Sequence, residues 1–346
     1  MGAVRPALSL ALPVLLAAAP AGAQEPSRQG SVAAEARVEK VLVDAYVVGP
    51  RGGALLGLGP QDFVLRVGGV EVPVGDVEFI PASRSELPPK AQGEVREPGT
   101  PEFPEGRLVV LFCQADFGRY RTKGLMRMTN ELGVFLDRFL PTDRIAVLSY
   151  DSHLKLRLDF TNDRVAIRKA LYESLKIGGA PEPAPSSPFP SLGEHFDVAA
   201  ARDASSIEKG LYVAAKALEK IPGGKVMFFL GWGLHVNRQP REGLWYARAV
   251  DALQKARVNV FSMDVTDADW HTLEGTLEHV AEMTGGTYAK THVFSAQALE
   301  LAFRAIEGRY VVVFDRPEGP RGRHALELGL RTMKGRVLAR PYFDDP

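Results

Sequence analysis

The sequence predicts an α/β protein: a doubly wound, mostly parallel sheet with helices on both faces, flanked at either end by β-strand segments. Three observations carry this. Short continuous apolar runs, such as residues 108–113, read as strands covered on both faces. Between them lie stretches with helical apolar spacing closed by Pro or Gly, so strand and helix alternate repeatedly. The two ends of the chain instead carry strand-like runs joined by Gly-rich turns.

Composition narrows the classes. The chain has 346 residues, 45% hydrophobic and 24% charged, with 42 basic residues against 42 acidic ones. That balance provides no global field toward nucleic acid or an anionic membrane. The single cysteine, Cys113, excludes an intramolecular disulfide framework and any all-cysteine metal site. Collagen-like, disordered and polytopic membrane classes fail on the same totals.

Residues 1–23 read as an export signal. Arg5 supplies a positive start, residues 7–19 are almost uninterrupted apolar, and Ala21-Gly22-Ala23 fits a cleavage site before Gln24. The apolar run is short for a membrane span and contains Pro13. The chain after cleavage is therefore expected to be periplasmic or extracellular, without a transmembrane segment.

Residues 38–80 form the N-terminal β segment. Val41, Val43, Ala45 and Val47 alternate with Leu42, Asp44, Tyr46 and Val48, and Gly68-Gly69 between two apolar runs predicts a hairpin. Residues 81–106 are rich in proline and charge and read as a linker. An α/β domain is expected over residues 107–308. Its strands are placed at residues 108–113, 144–150, 226–230, 258–263 and 288–289; its helices at 124–139, 163–175, 207–221, 243–256 and 273–283. Residues 178–193, with five prolines, read as a long surface loop inside it. Residues 309–343 return to β. Each flank is too small to be comfortable alone, so the two are expected to pack into one small β domain with the α/β domain inserted between them.

The common enzyme signatures are missing. Gly231-Trp232-Gly233 lacks the third glycine of a dinucleotide fingerprint, and Gly224-Lys225 lacks the flanks of a phosphate loop. There is no Gly-x-Ser-x-Gly elbow and no His-Glu-x-x-His pair. Cys113 lies in an apolar run, where a thiol is usually a small core hydrophobe. Asp264, Asp267, Asp269 and His271 follow a strand, but lack the glycine and distal glutamate of a calcium loop; they read as a polar loop capping the next helix.

Several stretches, taken in order, resemble the von Willebrand factor A fold and, more narrowly, the secreted bacterial VWFA-related family of acidobacterial type. They are Val41-Leu42-Val43-Asp44 with Gly59-Pro60-Gln61-Asp62-Phe63, Asp143-Arg144-Ile145-Ala146-Val147, Asp159-Phe160-Thr161-Asn162-Asp163-Arg164, Gly223-Gly224-Lys225-Val226, Thr284-Gly285-Gly286-Thr287-Tyr288, and the tail from Tyr310 to Phe343. The resemblance implies an exported interaction or adhesion module, not an enzyme. Such folds often hold a divalent ion through an Asp-x-Ser-x-Ser triplet, a later threonine and a further aspartate. Here the triplet aligns with Gln114, Asp116 and Gly118, the later loop offers Ser205 or Ser206, and the last position falls near Trp232. Asp116 is the one carboxylate left as a metal ligand.

The reading that follows is a protein-interaction module with a degenerate metal-ion-dependent adhesion site, no cofactor, and a protein partner. Phe117, Trp232 and Trp270 are its candidate partner-binding residues, since loops after the strands of such a sheet emerge at one end. Two alternatives stand beside it. One is a metal-dependent adhesion domain using Mg or Mn with altered ligands. The other is a hydrolase drawing on Asp116, Asp151 or the Asp264–His271 loop.

Overall fold

The computed structural model describes residues 39–82, 106–178, 190–235 and 240–345. The export signal, nearly all of the 81–106 linker and residues 179–189 of the Pro-rich loop lie outside these. The first strands are β1 (Lys40–Val48), β2 (Phe63–Val67), β3 (Val70–Val72) and β4 (Asp76–Pro81). Then come β5 (Leu108–Gln114), α1 (Arg119–Phe135), β6 (Arg144–Tyr150), β7 (Leu154–Thr161), α2 (Arg164–Glu173), α3 (Val198–Arg202) and α4 (Ile207–Leu218). They are followed by β8 (Lys225–Gly231), α5 (Pro240–Lys255), β9 (Val258–Asp264), α6 (Glu274–Thr284), β10 (Tyr288–Lys290) and α7 (Ser295–Ala305). The chain ends with β11 (Gly308–Asp315), β12 (Gly322–Leu330), β13 (Arg336–Ala339) and β14 (Tyr342–Asp345).

Six strands form the central sheet in the order β10-β9-β8-β5-β6-β7. All neighbours run parallel except β6 and β7, which form an antiparallel edge pair. Side chains of β5 alternate between two cores, as the continuous apolar run requires. Val110 and Phe112 join α4, α5 and α6 on one face, while Val109, Leu111 and Cys113 join α1, α2 and α7 on the other. The first strand of this sheet in sequence thus lies between β6 and β8. The chain winds outward from it in both directions, so the winding reverses at β5 and β8, whose carboxyl ends are where such sheets usually bind ligands.

The flanks interleave. β1 pairs antiparallel with β11 and β13, β11 pairs with β4, and β12 pairs with β2 and β14. These strands make two four-stranded antiparallel sheets, β13-β1-β11-β4 and β14-β12-β2-β3. The alternation in β1 explains its almost wholly apolar sequence. Val43, Ala45 and Val47 face the second small sheet, with Phe63, Leu65, Tyr310 and Phe314. Tyr46, on the opposite face, joins the α/β core and meets Phe261 edge-on at 5.9 Å. The hairpin at Gly68-Gly69 forms with φ of 58° and 84°, values that favour glycine.

Four expectations change. Helix α1 begins at Arg119, five residues before Gly124. Gly124 is no helix start: a Cβ there would lie 1.6 Å from the Val265 carbonyl oxygen, so the glycine permits close packing of α1 on the loop after β9. Strand β7 is an addition to the expected elements, because its apolar residues alternate with Lys155, Arg157 and Asp159. All three are buried, and each is paired: Lys155 with Asp151, Arg157 with Ser149, and Asp159 with Ser191 and three amides. Helices α3 and α7 are further additions; α3 is only five residues long, and α7 has no side-chain cap to announce it. Finally, no carboxylate of the Asp264–His271 loop caps α6, whose N-cap is Leu273; only His271 reaches the helix start, its Nδ1 accepting the Leu273 amide at 3.3 Å. The loop's carboxylates are held elsewhere.

Candidate functional site

The loops at the carboxyl ends of β5 and β8 gather most of the residues aligned with the adhesion-site positions. Gln114 ends β5 and spans the gap. Its Nε2 donates to the Gly233 carbonyl at 3.0 Å, and its Oε1 accepts from the amides of Trp232 at 2.9 Å and Gly233 at 3.3 Å. A fully buried carboxylate, Glu208 in the first turn of α4, accepts the His235 amide. Thr276 Oγ1 accepts the Leu234 amide at 2.9 Å. Three side chains from three elements therefore fix the loop after β8. Gly233 turns that loop at φ 138°, a conformation that favours glycine.

Asp116 sits just beyond, in the loop leading to α1. Its carboxylate is ion-paired with Arg121 and accepts the Gly118 amide at 3.2 Å, while its carbonyl accepts from Thr122 Oγ1 at 2.6 Å. Burial works to raise the Asp116 pKa, but the Arg121 guanidinium and the amides of Gly118 and Phe117 outweigh it and hold the carboxyl below its usual value. The same guanidinium lies over the Trp232 ring, 3.6 Å from its centroid. Trp232 is half-buried against the core, edge-on to His235 at 5.8 Å, and its Nε1 is buried without an acceptor among the described residues.

The remaining positions contribute less. Gly118 is the backbone N-cap of α1 and offers no side-chain donor. Ser206 caps α4 by accepting the Lys209 amide at 3.3 Å, so its oxygen is engaged, and Ser205 is exposed beside it. Asp151 is bound to Lys155 and accepts amides of Ser152 and Gly178; its pKa falls to about 2, where burial is outweighed by the Lys155 ammonium and those amides.

These residues do not fit a divalent ion of the kind the resemblance implies. Hard cations need several converging oxygens with negative charge. Asp116, the one carboxylate among the aligned positions, already holds a guanidinium, and the Gln114 oxygen is taken by two amides. Among the described residues no three His, Cys, Asp or Glu side chains are grouped as metal ligands would be.

The Asp264–His271 loop is likewise partitioned. Asp264 accepts from His271 Nε2 at 2.8 Å and Tyr288 OH at 2.9 Å. Asp267 pairs with Lys123 and Arg127 on α1, and Asp269 with His292. Cys113 is buried, and burial pushes its thiol up to about 11, outweighing a hydrogen bond from Ser174.

Phe117 and Trp270 are 84% and 70% exposed at the same end of the sheet, with no ring partner among the described residues. Trp232 differs from them in being half-buried beneath Arg121. Sequence reasoning misses Arg121 and Glu208. Arg121 has a usable signal, since it stands five residues after Asp116, within the first turn of the helix that follows. Glu208 has none, because a glutamate in a helix's first turn is ordinary.

No family model matches the sequence, and no curated protein does. Solved structures share parts of its fold at low similarity. A point mutant of the PilB minor pilin from Streptococcus sanguinis is 10% identical with a TM-score of 0.39, over 58% of this chain and 60% of the pilin. BatB from Bacteroides thetaiotaomicron is 9% identical with a TM-score of 0.38, over 58% of this chain and 98% of BatB. Proximal thread matrix protein 1 from the mussel byssus, solved with a zinc-occupied MIDAS motif, is 13% identical with a TM-score of 0.35, over 62% of this chain and 48% of that one. Likeness at this level does not extend to what the chain binds; its α/β architecture rests on its own strand order and alternation of elements.

Proposed function

We propose that the chain is an exported, non-enzymatic interaction module of von Willebrand factor A type that engages a protein partner at the carboxyl end of its sheet without a bridging metal. The observation that carries this is the Arg121 guanidinium. It pairs with the one carboxylate among the aligned positions and stacks on Trp232, so a fixed protein cation stands where the fold's usual chemistry calls for a mobile one. Beside it, Phe117 and Trp270 are exposed, and aromatic side chains of this kind serve as interface anchors when a partner covers them. Export rests on the signal-like residues 1–23. Among the described residues no helix is long and apolar enough to cross a membrane.

The test is site-specific photo-crosslinking in the native envelope, with the reactive group placed in turn at Phe117, at Trp270, and at Glu318, which lies between β11 and β12. The expected result is one discrete adduct from the first two positions and none from the third. Adducts from all three alike, or from none, overturn the proposed face.

A further inference from the structure

Between β1 and the amino-terminal end of the central sheet, one carboxylate serves an excess of cations. Arg257 grips Asp44 with Nε and Nη2, both at 2.7 Å, and Arg309 Nη1 stands 3.5 Å from the same carboxylate. The backbone of Arg257 is held at φ 54°, the one positive φ at a non-glycine among the described residues. Arg340 reaches in from the turn after β13, where its Nη2 donates to the Leu42 carbonyl at 3.0 Å. Lys225 is buried alongside, with its ammonium on the carbonyls of Ile221, Gly223 and Ala256. Glu78 and Asp344 act on Arg257 and Arg340 only from a distance, and Asp344 is hydrogen-bonded to Arg323. Two donors in this cluster, Arg309 Nε and Arg340 Nε, are buried and have no acceptor among the described residues.

A small cavity adjoins the cluster. It measures about 20 Å³ and is lined by Leu42, Asp44, Arg257, Asn259, Thr284 and Arg340 among others. That is room for one small particle, a water molecule or a monatomic ion. Buried cations without counter-charge are costly, and an unfilled guanidinium N–H in such a place marks an absent acceptor.

We propose that this cavity binds a single small inorganic anion of halide size, held by the unfilled Arg340 Nε within the excess positive charge of the Arg257 and Arg309 guanidinium groups. The anion fastens the flanking β layer to the α/β domain, because β1, the turn after β13 and the α5–β9 connection all contribute to its cradle.

Chloride binding to the native state alone raises stability by mass action. Melting of the full chain without its signal is followed in sodium chloride against sodium gluconate at equal ionic strength. The expected result is a saturable rise in Tm of about 2–4 °C with chloride, absent in Arg340→Met. A flat chloride response, or an equal rise in the variant, overturns the site. Should Arg340→Met not fold, the wild-type protein crystallised with sodium bromide decides. An anomalous peak beside Arg340 Nε supports the site, and a water molecule there, or bromide elsewhere only, overturns it. Neither readout involves the partner face, so its failure leaves the interaction reading untouched.

Discussion

The guanidinium of Arg121 lies 3.6 Å from the centroid of the Trp232 ring while pairing with the Asp116 carboxylate. One side chain thus ties the loop after β5 to the loop after β8 across the point where the sheet's winding reverses. A stacked guanidinium keeps its charge and its planar donors. It cannot leave as a metal ion can.

Magnesium or manganese at millimolar concentration is therefore expected to leave the melting temperature unchanged. A ligand that binds only the native state must raise it. Differential scanning fluorimetry across a metal titration checks this. A saturable rise that Asp116→Ala removes would show that the carboxylate releases Arg121 to a metal.

Replacing Trp232 by alanine should cost about 2–3 kcal/mol of folding stability, less than a fully buried tryptophan because the residue is only half-buried. Trp232→Phe, which keeps a ring beneath the guanidinium, should recover most of it. Urea denaturation of both variants measures the difference, and a loss under about half a kilocalorie for Trp232→Ala would refute the stacking role.

Asp151 and Lys155 form a buried pair, their side chains 4% and 0% exposed. Asp151→Asn leaves a buried ammonium with a neutral partner and is expected to cost about 3–5 kcal/mol, whereas the double change with Lys155→Met should restore much of it. The sign of the pH dependence follows from the depressed carboxyl. Its stabilisation is fully present above the unfolded value near 3.8 and is lost as pH falls toward about 2. Acid unfolding curves of wild type and Asp151→Asn should accordingly converge at the lower end of that window.

Gly124→Ala should destabilise by about 3 kcal/mol or more, since the new methyl meets a backbone carbonyl that has no rotamer to escape into. Gly275→Ala, in α6 with open space at its Cβ position, should instead be neutral or slightly stabilising. Thermal melts followed by circular dichroism distinguish the two; similar effects at both sites would place α1 farther from the loop after β9.

A chain cut to residues 106–308 uncovers the patch of α/β core that Tyr46 and Leu338 fill. It is expected to aggregate or to bind a hydrophobic dye. Solubility and heat resistance equal to those of the longer chain would mean that the flanking sheets only decorate the domain.

The α/β alternation is legible residue by residue, because a strand buried on both faces must be apolar at every position and a covered helix must repeat every three to four residues. The Gly68-Gly69 hairpin is legible too, as is the helix start expected at residue 163, where the Asp163 side chain accepts the amides of Val165 and Ala166. These features depend on neighbours within a few residues. Strand β7 is hidden because its charged side chains are ion-paired with Asp151 or hydrogen-bonded to Ser149 and Ser191, partners supplied by other parts of the fold. The meaning of Asp116 is hidden in the same way. A lone aspartate after a strand reads equally as a metal ligand or as half of an ion pair. Only the packing of α1 against the loop after β8 brings Arg121 over Trp232 and gives that carboxylate its partner. The cation cluster around Asp44 joins residues from β1, the α5–β9 connection and β11, with Asp44 and Arg257 separated by 213 positions. Charge pairing over such a span leaves no periodicity in a sequence, so it exists only once the folded chain has brought its ends onto the central sheet.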